Sequence, residues 1–157
     1  MSIFQVTADG LKKVFDTGSQ MEETIAAMFP DDFNSNNDEN DSFDARSDDK
    51  GPEPEGIAIG RIDDSTYAFV GLERIGGIMM YDITSPADTT LVDYINHRDF
   101  SLANEPEALT QTDLGAEGLY FVSADTSPDA DGRPLLIVGN EVSGTTTVFA
   151  IDRAKQQ

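Results

Sequence analysis

The sequence has no cysteine and no tryptophan, and His97 is its only histidine. Without cysteine the chain cannot form disulfides, use a thiol nucleophile or bind zinc through thiolates. One histidine excludes metal sites built from several histidines, and a Ser-His-Asp triad would have to use His97. No Gly-x-Ser-x-Gly nucleophile motif accompanies His97-Arg98-Asp99, so a structural role is the simpler interpretation of this histidine.

Basic residues are scarce, since 10 Lys and Arg stand against 30 Asp and Glu and give a formal net charge of −20. Such a chain repels nucleic acid and anionic membranes, and it suits divalent cations and basic partners. A simpler alternative is that the acidic residues only keep the protein soluble. The sequence has no run of about 18 apolar residues that could span a membrane. Residues 1–6 do not have the features of a signal peptide.

The first thirty residues predict a hairpin and a helix. Apolar runs at 3–6 and 11–15 flank an Asp-Gly turn, which is a hairpin signal. Ser19 and Glu22 form a capping-box pattern at the start of a helix that Pro30 ends. Apolar residues follow at helical spacing: Met21, Ile25, Met28 and Phe29.

Residues 31–55, here called the acidic segment, are rich in Asp, Glu and Asn and poor in large apolar side chains. We expect a long loop that is either disordered or held by cations and partners. It does not match an EF-hand, because Glu39 and Ala45 stand where the loop needs Gly and Glu. Another partial match at 127–132 also fails, at Val138, so its aspartates are expected to form a solvated hairpin tip.

From Glu55 onward short strands are expected, and they form an internal repeat. Residues 55–59 match 117–121, and residues 67–73 match 135–141. The two copies align without a gap from Glu73 and Glu141 to Ile83 and Ile151. Strands are expected at 57–59, 67–72, 78–83, 91–95, 119–122, 135–139 and 145–151.

Tandem antiparallel units of about four strands are typical of β-propeller blades. We therefore predict an all-β fold, a β-propeller-like fragment of about two four-stranded blades, with a β-sandwich as the alternative. Such blades need neighbours, so we expect the rest of a longer parent or self-association to cover an open hydrophobic edge beside 117–151. The predicted parts of this partial propeller domain are a hairpin of a preceding blade (1–18), a helix and acidic loop (19–54), a blade (55–96), a connection (97–116) and the last blade (117–157).

Four segments together resemble the choice-of-anchor I family, whose relatives include the mesenchyme-specific cell surface glycoproteins: 50–56 (KGPEPEG), 67–82 (YAFVGLERIGGIMMYD), 114–119 (LGAEGL) and 139–147 (GNEVSGTTT). The resemblance covers about residues 3–151. It implies a propeller-like fold, an extracellular or cell-surface location, and a chain that corresponds to the C-terminal portion of longer, anchored proteins. Some relatives carry an alkaline-phosphatase label.

The repeat also brings carboxylates to one end of the blades. Glu55 and Glu117 open first strands, and Glu73 and Glu141 close second strands, so all four are expected at the same edge. Gathered carboxylates repel one another unless a cation or an arginine intervenes, and Ca²⁺ prefers such oxygen ligands. Glu53 is a further candidate, and Asp48 and Asp49 could join from the acidic segment. The alternative is that these glutamates cap turns or pair with Arg74.

Two functions therefore remain open. The first is a non-enzymatic surface module that binds Ca²⁺, another divalent cation or surface partners, with no catalytic residue of its own. The second is part of an alkaline-phosphatase-like, metal-dependent phosphoesterase, which would need several metals and basic residues that bind the phosphate. The candidate phosphate-binding residues are Arg46, Lys50, Arg74 and Arg98. Asn40-Asp41-Ser42 is a glycosylation sequon that matters only in a eukaryotic secretory route.

Overall fold

The computed structural model of the chain describes residues 1–152. An N-terminal hairpin is formed by β1 (Ser2–Thr7) and β2 (Gly10–Asp16), and helix α1 (Gln20–Met28) follows it. The remaining strands and α-helix are β3 (Pro54–Ile62), β4 (Ser65–Leu72), β5 (Ile78–Asp82), β6 (Thr90–Ile95), a short helix α2 (Pro106–Leu109), β7 (Ala116–Val122), β8 (Leu135–Asn140) and β9 (Thr145–Ala150), and single 3-10 turns lie at Pro86–Asp88 and Ala124–Thr126.

The strands form three antiparallel sheets in which neighbours in sequence are neighbours in space. The N-terminal hairpin is the first sheet, β3-β4-β5-β6 is the second, and β7-β8-β9 is the third. We call the second and third sheets the first blade and the second blade. This arrangement confirms the predicted propeller-like fragment, with the difference that the described part of the second blade has three strands. The last five residues of the predicted last blade lie outside the described residues.

Helix α1 covers one face of the first blade. Met21 and Ile25 lie four residues apart, so both point to the same side of the helix, and both are buried. They pack with Leu72, Met79 and other apolar side chains of the blade. The helix ends at Met28, with Phe29 as its C-cap, because Pro30 cannot continue it.

The predicted capping box at the start of α1 is wrong. Ser19 is the N-cap, but its hydroxyl donates to the Glu23 carboxylate at 2.6 Å instead of exchanging hydrogen bonds with Glu22. Ser19 Oγ accepts no hydrogen bond from the first helical N–H groups, and the Ser19 backbone, with φ −87° and ψ 10°, is not in the extended conformation typical of a capping residue.

The other face of the first blade packs against the second blade. Phe69 on β4 stacks on Phe121 on β7, with 5.7 Å between ring centroids. The backbones of the two first strands come very close, since a Cβ at Gly56 would lie 2.0 Å from the carbonyl oxygen of Glu117. A residue without a side chain is thus required at Gly56, whereas a Cβ at its repeat equivalent, Gly118, would meet nothing within 4 Å.

Candidate metal centre

A backbone irregularity at the start of each blade sets the direction of its glutamates. The pairing of β3 with β4 shifts register between Pro54 and Ile57, and the pairing of β7 with β8 shifts between Ala116 and Gly118. Glu55 and Glu117 lie within these two bulges. Bulges redirect side chains at the ends of sheets. The two blades therefore share not only sequence but also the local backbone geometry that positions their carboxylates.

Three of the five predicted ligand residues come together in the first blade. Carboxylate oxygens of Glu53, Glu55 and Glu73 all lie within 4.8 Å of one another. Glu73 is buried, Glu53 is half-buried and Glu55 is exposed. The backbone N–H of Glu73 donates to the carbonyl of Glu53 at 3.0 Å, which ties the end of β4 to the residue that precedes β3.

Two basic side chains lie against this cluster. Arg74 Nε is 2.5 Å from one oxygen of Glu53, and Lys50 Nζ is 2.6 Å from the other. The Nη1 of Arg74 is 3.6 Å from Glu73 Oε1. The alternative that Arg74 pairs with these glutamates is therefore realised for Glu53 and Glu73, and two positive charges offset most of the charge of three carboxylates.

The pKa values of Glu53 and Glu73 are shifted in opposite directions. Hydrogen bonds from Lys50 and Arg74 lower the pKa of Glu53 to about 2. Burial, together with the nearby carboxylates of Glu55 and Glu53, raises the pKa of Glu73 to about 7. Near neutral pH, Glu73 thus holds a proton for part of the time, because like charges this close disfavour full ionisation.

Glu117 and Glu141 form the corresponding pair in the second blade, and both are exposed. The charge of Glu141 is the main cause that raises the pKa of Glu117, and Glu55 adds to it, so the glutamates of both blades share one end of the molecule. Among residues 1–152 no third carboxylate joins this pair, and Gly115 occupies the position equivalent to Glu53. In the described residues the three-carboxylate cluster is accordingly confined to the first blade.

The acidic segment closes over the cluster. Asn37 is buried, and its Nδ2 donates to Glu73 Oε1 at 2.5 Å while its Oδ1 accepts from Arg74 Nη1 at 2.9 Å. This contact brings a residue from a loop far away in sequence to the candidate site. Asn37 could not be singled out from the sequence, since asparagines are abundant throughout the segment.

Arg98 organises the acidic segment, which is folded rather than disordered in this structure. The guanidinium is buried and donates to the carbonyls of Asn36 and Glu39, each at 2.6 Å, and to the side chain of Asn40. Its Cζ lies 4.7 Å from the ring centroid of Phe100. Burial lowers its pKa to about 10. In the tripeptide His97-Arg98-Asp99, the arginine thus has a structural role.

Other candidates from the sequence lie outside the cluster. The ring of His97 contacts that of Phe149, at 5.1 Å between centroids. Asp129 is held by Arg133 at 3.0 Å, and Asp49 lies 3.7 Å from Arg46. Asn40 of the glycosylation sequon is 2% exposed, so the folded chain cannot carry a glycan there.

Comparison with known proteins identifies the family. The sequence model of the choice-of-anchor I domain matches residues 1–86, more than half of the chain. The chain belongs to the choice-of-anchor I domain family. It is also similar to Gigasin-3a of Magallana gigas, with 32% identity over an alignment of 152 positions that covers 92% of this chain and 53% of that protein. The chain thus spans about half the length of its relative. No solved structure gave a significant match.

Membership of the choice-of-anchor I family implies a cell-surface or extracellular context for this propeller-like module. Within the described residues, neither helix has the length and apolar composition required to cross a bilayer.

Proposed function

We propose that this choice-of-anchor I chain is a non-enzymatic surface module that binds a divalent cation, Ca²⁺ above all, at Glu53, Glu55 and Glu73. The observation that carries the proposal is the approach of three carboxylates from two strand ends to within 4.8 Å of one another. Hard oxygen ligands of this kind suit Ca²⁺, which accepts irregular geometry and completes its shell with water. Mg²⁺ fits less well, since it demands near-ideal octahedral ligands.

The cation would replace a proton rather than enter a fully ionised site. Glu73 is buried and has a pKa near 7, so a bound cation supplies the positive charge that this carboxyl otherwise takes up as a proton. Arg74 and Lys50 compete with the cation for Glu53. With few protein ligands and two competing cations, we expect a dissociation constant of about 10⁻⁴ to 10⁻³ M, the range of extracellular calcium modules.

The phosphoesterase alternative has less support, because the basic residues it needs are already engaged. Lys50 and Arg74 bind Glu53, and Arg98 is buried among backbone carbonyls. The side-chain Nε of Arg46 donates to the carbonyl of Ala45. A phosphate at the cluster would also meet three carboxylates, so binding without turnover is the better interpretation.

Calorimetric titration of the purified chain with Ca²⁺ at pH 8, with thermal unfolding followed in parallel, tests this proposal. We expect one saturable site and a melting temperature that rises with Ca²⁺ concentration, since a ligand that binds only the folded state stabilises it. Glu55→Gln should weaken binding at least tenfold, and it is the cleanest variant because Glu55 is exposed. Glu107→Gln, which removes the same charge from an exposed site on α2, is the matched control.

Binding that persists unchanged in Glu55→Gln and Glu73→Gln would contradict this site. The same holds if Glu107→Gln weakens binding as much as they do, because the effect would then be one of total charge. Phosphatase activity that is lost with Glu55 would instead favour the alternative.

A further inference from the structure

Arg74 lies among side-chain oxygens that two distant parts of the chain contribute. Its Nε is 2.5 Å from Glu53 Oε2, and its Nη1 is 3.6 Å from Glu73 Oε1. The same Nη1 donates to Asn37 Oδ1 at 2.9 Å and to Asn36 Oδ1 at 3.5 Å. Carboxylate and amide oxygens are also the ligands that Ca²⁺ prefers, so the guanidinium occupies a place that a divalent cation could fill.

Asn37 faces the same place with both of its polar atoms. It is 6% exposed, its Nδ2 donates to Glu73 Oε1 at 2.5 Å, and its Oδ1 accepts from Arg74. The backbone beside it is held independently, because Arg98 Nη1 donates to the carbonyl of Asn36 at 2.6 Å. The Asn37 side chain therefore stays within reach of the cluster if the Arg74 side chain moves away.

The side chain of Arg74 can change direction while its backbone stays in place. The backbone N–H of Arg74 donates to the carbonyl of Pro52 at 3.2 Å, and its carbonyl accepts from Arg98 Nη1 at 3.1 Å. Another acceptor for the guanidinium is Asp38, whose carboxylate is exposed. Burial lowers the pKa of Arg74, whereas the carboxylates around it, Asp38 included, raise it overall.

We propose that a divalent cation and the Arg74 guanidinium are alternative occupants of one oxygen-lined position, and that the cation takes Asn37 Oδ1 as a further ligand. When the cation binds, Arg74 turns from Glu53 and Glu73 towards Asp38. The cation then joins the acidic segment to the end of β4 in place of the arginine. This displacement presupposes the cation site proposed above and adds to it a fourth protein ligand and a resident competitor.

The two occupants exclude each other on electrostatic grounds. A cation bound to Glu53 and Glu73 would lie next to the guanidinium that now contacts both carboxylates, and like charges this close repel one another. Without either occupant, buried Glu73 would lose the positive charge that Arg74 supplies. Arg74 therefore keeps the site formed while the cation is absent, and the doubly charged cation should hold the acidic segment more firmly than the arginine does.

Calcium affinity in Arg74→Gln gives the sharpest test. The variant lacks the competitor, so its dissociation constant for Ca²⁺ at pH 8 should be at least about tenfold lower than that of wild type. If Arg74 only supported the fold of the site, the same variant would bind Ca²⁺ more weakly. Arg61→Gln removes an equal charge near the opposite end of β3, where Arg61 is exposed, and should shift the constant by less than about threefold.

Two substitutions of Asn37 separate a ligand from a structural contact. Asn37→Ala removes the oxygen and should weaken Ca²⁺ binding at least about fivefold. Asn37→Asp keeps an oxygen and adds a charge, so it should bind Ca²⁺ at least as tightly as wild type, although without Ca²⁺ its carboxylate repels Glu73 and lowers the melting temperature. If Asn37 served only as a donor to Glu73, both variants would bind Ca²⁺ more weakly, because aspartate has no such donor.

Hydrogen exchange of residues 31–50 reports the link between the acidic segment and the cluster. Amides of this stretch should exchange more slowly in wild type when Ca²⁺ is saturating. In Arg74→Gln they should exchange faster than in wild type without Ca²⁺, and as slowly as in wild type with it. Arg61→Gln should match wild type under both conditions.

Binding that is unchanged or weaker in Arg74→Gln, or hydrogen exchange at 31–50 that does not respond to Ca²⁺, would overturn the displacement of Arg74. Saturable binding in wild type that is weakened by Glu55→Gln would in that case still support the proposed cation site. No saturable binding in either wild type or Arg74→Gln would reject both. Should Arg74→Gln fail to fold by circular dichroism, the comparison of Asn37→Ala with Asn37→Asp decides.

Discussion

Arg98 and Asn40 join the acidic segment to the chain that follows the first blade. Both Nε and Nη2 of Arg98 donate to Asn40 Oδ1, at 3.2 and 3.1 Å. The amide of Asn40 in turn donates to the carbonyl of Leu102 at 2.8 Å. Arg98 also donates to the backbone carbonyls of Asn36 and Glu39, so these acceptors of the acidic segment have a partner within the chain itself.

Replacing Arg98 with Lys should destabilise the protein by about 3 kcal/mol or more. Lysine cannot reproduce the planar fork that serves several oxygens at once, and it would leave buried carbonyls without donors. Urea unfolding followed by circular dichroism measures the change. Cleavage of the acidic segment by a protease should also become faster than in wild type, because the segment loses its internal partner.

Arg61→Lys is the matched control for this change, since the Arg61 side chain is 70% exposed and its ion pair with Asp64 is a surface contact. It should alter the free energy of unfolding by less than about 0.5 kcal/mol. Equal losses in the two variants would mean that Arg98 has no special role in the acidic segment.

The strands could be predicted from sequence because their alternation and their turns are local signals. Every expected strand is present, and the repeat matched residues that pair alike in both blades. The hairpin at β1 and β2 and the helix ending before Pro30 were also predicted. The capping box at Ser19 was predicted wrongly because it also requires a particular backbone conformation at Ser19, which residue spacing alone does not decide.

The candidate site was predictable only in part. The repeat indicated that Glu55, Glu73, Glu117 and Glu141 share one end of the blades. It did not indicate that three carboxylates gather in the first blade and only two in the second. This difference depends on Glu53, which Gly115 replaces in the second copy. The fold of the acidic segment was not predictable, because it depends on long-range contacts such as that between Asn37 and Glu73.

Glu73 should make the protein less stable as the pH rises from about 4.5 to about 7. Its folded pKa, near 7, lies above the unfolded value of 4.5, so the folded state binds more protons in this window. The stabilisation of the folded state by protonated Glu73 is complete below the unfolded pKa. It is lost as the pH rises through the folded pKa, at up to about 1.4 kcal/mol per pH unit. Urea unfolding at several pH values, without Ca²⁺, measures the slope.

In Glu73→Gln this slope should be reduced, and that comparison isolates Glu73 from other groups. Glu53 and Asp129, whose pKa values are lowered to about 2, act only at lower pH, where they destabilise the fold as they are protonated. An unchanged slope between pH 5 and 7 in Glu73→Gln would assign the effect to another carboxyl.

Calcium binding should strengthen as the pH rises from 6 to 8. The cation must displace the proton of Glu73, so the dissociation constant should fall by up to about tenfold per pH unit below the pKa and level off above it. Calorimetry in buffers of different ionisation enthalpy should detect the released proton at pH 6. Affinity that is independent of pH would show that Glu73 is not a ligand.

Gly56→Ala should be strongly destabilising while Gly118→Ala should not be. A Cβ at Gly56 would lie 2.0 Å from the carbonyl oxygen of Glu117, and backbone atoms cannot move aside without separating β3 from β7. We expect a loss of about 2 to 3 kcal/mol from this overpacking. At Gly118 a Cβ meets nothing within 4 Å, so the change should stay within about 0.5 kcal/mol. Because the two glycines are repeat equivalents, differences in their unfolded states largely cancel, and thermal unfolding compares the packing alone. Similar losses at both positions would mean that the two blades do not approach each other through Gly56.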